Sequence, residues 1–166
     1  LALLLLLLLL GSTWAIFLPL IFATASVSLA LGIIYLIAQK FLMVLYVPNI
    51  VELIGLGLAI DYSLLMVHRY RRELLSNLSE EIALIRTMQT AGRTVVLSGI
   101  TVSIALSTLL LVPVPFVQSL GIAGILVPLV SVFAALTLQP VLLSLLGKGV
   151  FSDGYQGIMG KKDPLA

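Results

Sequence analysis

Residues 55–74 read GLGLAIDYSLLMVHRYRREL, and the change of character inside that stretch decides the fold. Up to Val67 it is apolar or small except for Asp61, Tyr62 and Ser63; from His68 it turns basic, with Arg69, Arg71 and Arg72 close together. A helix that crosses a bilayer needs about 20 mostly apolar residues. It commonly ends in basic residues on the cytoplasmic side. Upstream, the apolar run reaches Pro48, a residue suited to the first helical position. The pattern predicts a spanning helix over about residues 48–67, stopped abruptly by the basic cluster.

The same reading extends in both directions. Residues 14–38 carry no charge and close on Gln39 and Lys40; Pro19 lies in the first turns, where proline is tolerated. Residues 94–112 are apolar and stop at Pro113-Val114-Pro115, and residues 116–146 form a further run interrupted by Pro128 and Pro140. The opening LALLLLLLLL reads as the end of a spanning helix whose beginning is missing, closing at Gly11-Ser12-Thr13. The expected fold is therefore an all-α integral membrane bundle of about five helices, the first truncated. Composition agrees: 61% of the residues are hydrophobic and 10% charged, against about 45–50% and about 25% in soluble domains. The absence of cysteine excludes disulfides and thiolate chemistry, and a single histidine excludes a multi-histidine metal cage.

Charge placement gives the orientation. Alternating helices put Arg69, Arg71, Arg72, Arg86, Arg93, Lys148, Lys161 and Lys162 on one face and leave only Lys40 on the other. Such a bias marks the cytoplasmic side. Residues 79–93, SEEIALIRTMQTAGR, open on Ser79 and two acids, then repeat Ile82, Ile85 and Met88 at helical spacing. They read as a short amphipathic helix at the membrane surface or a connecting helix on the bundle. The domain expected is residues 1–147, followed by a glycine-bearing cytoplasmic linker over 148–166.

Asp61 is the residue that needs an explanation. An acid at mid-membrane costs about 2.5–3.5 kcal/mol on the insertion scale, and such residues usually face a bundle interior and mark ion or proton paths. Burial favours the neutral acid, so a proton could be loaded and released there. The structural alternative is a paired or protonated aspartate that only holds helices together. Adjacent Tyr62 could hydrogen-bond a carboxylate on a neighbouring helix, or anchor at an interface. Gly55, Ala59 and Ser63 recur every four residues, a stripe for close helix packing that would bring Asp61 near a partner helix. Ser98, Thr101, Ala105 and Thr108 form a similar stripe. Thr101 and Thr108 read as bonding their own helix backbone, whereas Ser98 matches the depth of Asp61. His68 lies seven residues beyond Asp61 on the same face. It reads foremost as an interfacial histidine beside the arginines, with a proton-exit role as a possible second use. Glu52, at the outer end, favours the helix N-terminus. Gly121 and Gly124 allow close packing of the last helix, and its prolines read as static kinks.

Three segments together carry a resemblance: GLGLAIDYSLLMVHRYRREL, then TAGRTVVLSGITVSIALSTLLLVPVPF, then SLGIAGILVPLVSVFAALTLQPVLLSLLG. In this order the chain, from about Gly11 to Gly147, resembles the MMPL family of resistance-nodulation-division transporters. The resemblance implies helices two to six of one six-helix half. It implies a proton relay in which Asp61 and Tyr62 match the family's aspartate-tyrosine pair and Ser98 its nearby serine. It further implies export of lipids or other amphipathic molecules on the proton gradient, with no cofactor and no enzymatic step. The implied partners are membrane lipids, the substrate, and a second homologous half in the same chain or a homo-oligomer, and no nucleic acid. His68 stands where relatives often have a small polar residue, so no role carries over to it. Gly-Ser-Thr-Trp stands where relatives often have an arginine. Two alternatives remain: a sterol-sensing or receptor-like lipid-binding bundle, and a protein-secretion motor subunit, against which Tyr62 argues.

The orientation is tested by cysteine substitution in this cysteine-free sequence. Arg86→Cys is expected to react with an impermeant thiol reagent only in permeabilised cells, and Val114→Cys in intact ones. Labelling of both from the same face would end the alternating arrangement.

Overall fold

The computed structural model describes residues 17–39, 45–76 and 79–159, with backbone alone over 146–159. It is helical, with no strand among the described residues. In chain order the elements are α1 (Phe17–Ala38), α2 (Val47–Leu74), α3 (Glu80–Thr87), a π-helical turn (Met88–Gly92), α4 (Arg93–Ser107), a 3-10 turn (Thr108–Leu111) and α5 (Pro115–Met159). Four stretches are long and apolar enough to cross a membrane: Phe17–Ala38, Val47–Leu74, Glu80–Leu111 and Pro115–Leu145. The truncated first helix expected at the chain start lies outside the described residues.

Two expected boundaries move. The basic cluster after Val67 does not stop α2, which continues to Leu74. Arginine is a good helix former and basic side chains suit the negative C-terminal end of the dipole, so charge ends the apolar span without ending the helix. An Arg69–Glu73 ion pair of 2.6 Å, four residues apart, bridges the last two turns. Likewise the linker expected from residue 148 is helical to Met159. Glycine weakens a helix by about 1 kcal/mol per residue but keeps its N–H, and no proline interrupts the sequence between Pro140 and Pro164.

The surface helix α3 docks through buried Ala83 and Thr87 and leaves Ile82 and Ile85 outward, 46% and 50% exposed. Glu73, 7% exposed, also lies 3.8 Å from Arg86, so the cytoplasmic end of α2 is tethered to α3. Through the π-helical turn α3 runs directly into α4.

Small residues set the packing. α1 lies against α2 and α5, and α4 against α5. A methyl at Gly55 would touch Val27 and Val127 at 3.4 Å, and Ala59 and Ser63 are fully buried on the same stripe. That stripe therefore faces α1 and α5. At Gly124 an added carbon would stand 2.8 Å from Leu106 Cβ, and at Gly121 3.1 Å from the Leu110 backbone nitrogen. These two glycines admit the end of α4 and the turn after it against α5. Ser103 donates to the Ile125 carbonyl at 3.3 Å, in the stretch of α5 that Pro128 loosens.

Polar bonds also cross the apolar interior, among them Ser26 Oγ to Ser131 Oγ at 3.4 Å between α1 and α5. Gln139 Nε2 donates to Ser63 Oγ at 3.0 Å, both residues are fully buried, and Gln139 Oε1 has no partner. Removing one member of such a pair costs more than removing the whole polar group. Ser63→Ala strands both ends of the amide and is expected to destabilise the solubilised protein by about 1–2 kcal/mol, while Gln139→Leu costs less. Thermal unfolding of both variants in the same detergent decides it, and a larger loss for Gln139→Leu would mean that the amide stabilises through other contacts.

Candidate functional site

The inward stripe determines where Asp61 points. Asp61 is two residues from both Ala59 and Ser63, hence about 200° round the helix from each. With those two buried, Asp61 is on the outward side, and it is exposed in this chain. It makes no ion pair among the described residues. The packing stripe thus seats α2 in its own bundle and presents Asp61 away from α1 and α5, which differs from the expectation that the stripe itself brings the acid to a partner helix.

Asp61 opens into a cleft of about 560 Å³. Its polar lining is Asp61, Tyr62, His68 and Arg71 from α2, with Thr94 and Ser98 from α4; Leu58, Leu64, Leu65 and Val95 supply apolar walls. The cleft exists because α2 and α4 both lean on α5 and have no extensive contact with each other. Asp61, Tyr62, Ser98 and His68 are therefore brought together around one space. Glu52 is exposed elsewhere on α2 and does not line it.

Tyr62 occupies the inner edge. It is 4% exposed and packs with Phe22, Ala59, Met66, Val95 and Val132. Its hydroxyl is buried and lies toward the Ser98 side chain, just outside regular hydrogen-bond geometry. That hydroxyl lies 3.4 Å from where a side-chain carbon at Gly99 would stand, and a methyl there would overlap Val132 Cγ2. Gly99 is thus the point at which α4 closes on α5 beside the tyrosine, and it holds neighbouring Ser98 at the cleft wall. Thr101 bonds the Leu97 carbonyl at 2.8 Å and Thr108 the Ala105 carbonyl at 2.7 Å, so both are satisfied by their own helix.

Three residues of this arrangement were not singled out from the sequence. Gly99 was visible within AGRTVVLSG, but nothing in the spacing revealed its contact with Val132. Gln139 was an uncharged polar residue in an apolar run, beside Pro140. Glu73 stood four residues after Arg69, a pairing signal in itself. Among the described residues no group of three or more histidines and acids is placed to hold a metal ion. The cleft carries a carboxyl group from Asp61, an imidazole from His68, a guanidinium from Arg71 and the hydroxyls of Tyr62, Thr94 and Ser98.

Residues 1–157 match the MMPL family. The probable trehalose monomycolate exporter MmpL3 of Mycobacterium leprae is 37% identical over 146 residues, 88% of this chain and 15% of the relative. A putative membrane protein of Streptomyces coelicolor, SCO6666, is 39% identical over 87% of this chain and 21% of its own length. The mycolic acid-containing lipids exporter MmpL11 of Mycolicibacterium smegmatis is 34% identical over 83% and 14% respectively. The chain spans about a seventh to a fifth of the length of these relatives.

The role of Gly99 is checked by a paired substitution. Gly99→Ala is expected to cost about 1–3 kcal/mol through overpacking. Adding Val132→Ala should recover part of that loss in thermal unfolding. Additive losses in the double variant would place the cause elsewhere than in this contact.

Proposed function

This chain belongs to the MMPL family, and from that premise we propose that it is part of the membrane machinery of a proton-driven exporter of lipids or other amphipathic molecules. The observation that carries the reading is Asp61: an acid two turns inside a spanning helix, aimed into a cleft, with Ser98 on the facing wall and Tyr62 beside it. The names of the relatives, exporters of trehalose monomycolate and of mycolic acid-containing lipids, support the cargo class. The chain moves its substrate without transforming it.

In this reading Asp61 alternates between a carboxylate and a neutral acid. Proton uptake removes the charge, and with it the need for polar surroundings. Each charge crossing the membrane is worth about 2.3 kcal/mol per 100 mV, which moves a two-state packing equilibrium about fiftyfold. The stripe Ser98, Thr101, Ala105 and Thr108 runs along α4 from the cleft and is mostly exposed. Small side chains on such a face suit a closely apposed helix. A second homologous half, in the same chain or in another copy, covers this side and faces Asp61 with its own polar groups.

Asp61→Asn keeps the size of the side chain and fixes it neutral. In the full-length protein reconstituted into vesicles, export per folded molecule under an imposed proton gradient is expected to fall to background. The thermal midpoint should be unchanged or higher, because a neutral amide costs less in lipid than a charge. Tyr62→Phe should impair export less. Near-normal specific activity of Asp61→Asn would exclude the relay and favour a lipid-binding bundle that does not pump.

A further inference from the structure

We infer that His68 is the group through which the proton of Asp61 leaves for the cytoplasm. The inference rests on the relay reading of Asp61 and adds a residue to which the family resemblance assigns no role. Its basis is the cleft itself. His68 and Asp61 line the same space between α2 and α4. Seven residues apart on one helix, they stand about 10.5 Å apart along the axis and within about 20° of the same direction. His68 lies toward the end of α2 that carries the basic cluster, the cytoplasmic end by charge distribution.

A gap of that length is too great for direct transfer and needs a chain of about three waters at hydrogen-bond spacing. The cleft, about 560 Å³, has room for them, since a water takes about 30 Å³. The step balances simply. The neutral Asp61 gives its proton to the first water and becomes a carboxylate. The last water protonates an imidazole nitrogen. The imidazolium then releases a proton to cytoplasmic water and returns to the neutral form. Imidazole suits this because its exchange falls in the physiological range.

The other groups on the cleft do not compete. Arg71, three residues further on α2, carries a guanidinium that donates hydrogen bonds and accepts none. Tyr62 is buried at the inner edge, and α4 contributes Thr94, Val95 and Ser98, none of which titrates. Arg93, exposed and next to Thr94, does not line the space.

The test uses the full-length protein in vesicles with defined pH on each side. His68→Ala should slow gradient-driven export about tenfold or more, within the scale of general acid–base effects, with the substrate concentration for half-maximal rate unchanged. Imidazole added on the cytoplasmic side should restore much of the rate to His68→Ala and none to Asp61→Asn. A structural role would not respond to imidazole. Full-rate export by folded His68→Ala, or a slowed variant that imidazole leaves unchanged, overturns the proposal while Asp61→Asn remains inactive. Activity retained by Asp61→Asn would instead remove the relay, and His68 with it.

Discussion

A carboxylate inside a spanning helix cannot be left against hydrocarbon, and the arrangement of α2 follows from that constraint. A charged group at mid-membrane costs several kilocalories unless it meets polar partners or water. α2 answers with two faces. Gly55, Ala59 and Ser63 bury one face against α1 and α5. The opposite face holds Asp61 over a space with hydroxyls and a basic side chain on its rim. Reversing the two would place the acid among Phe22, Val127 and their neighbours, with nothing to solvate it.

The cleft depends on contacts made elsewhere. Nothing between α2 and α4 holds them apart; their common support on α5 does. Gly99, Gly121 and Gly124 fix how closely α4 and the turn after it approach α5. Larger residues there would push α4 outward and widen the space beside Asp61. At the cytoplasmic end, Glu73 between Arg69 and Arg86 ties α2 to α3. Because α3 continues through the π-helical turn into α4, that tie also limits how far the two cleft walls separate.

Much of this was legible in the sequence because lipid simplifies the code. Apolar length alone predicts spans over about 14–38, 48–67, 94–112 and 116–146, and the four spanning stretches of the structure, 17–38, 47–74, 80–111 and 115–145, overlap them in order. The oddity of Asp61 follows from the cost of charge. The helix ends were less legible. His68 to Arg72 ends the apolar run but not α2, and glycines after Gly147 do not end α5, since neither charge nor glycine removes a backbone donor. The stripe of Gly55, Ala59 and Ser63 predicts a closely packed helix near Asp61 but does not fix the direction of the acid. Only the seating of Gly55, Ala59 and Ser63 on α1 and α5 reveals that the acid lies on the other side. The Gln139–Ser63 bond, spanning 76 residues of sequence, had no local signal at all.

The three acids of α2 differ in what surrounds them, and that difference is why the proposed relay is placed on Asp61. Glu52 is exposed at the outer end, where water solvates either form. Glu73 is buried but lies against two arginines, so neutralising it would leave those cations short of a partner. Asp61 has no cation paired to it among the described residues, and it sits at a depth where the charged form is costly without help. Its two protonation states therefore favour different surroundings, polar for one and apolar for the other. In the proposed relay, a group in that position would convert proton binding into a preference between two packings of α2 against whatever covers the cleft. Neither of the other acids on the helix meets that requirement.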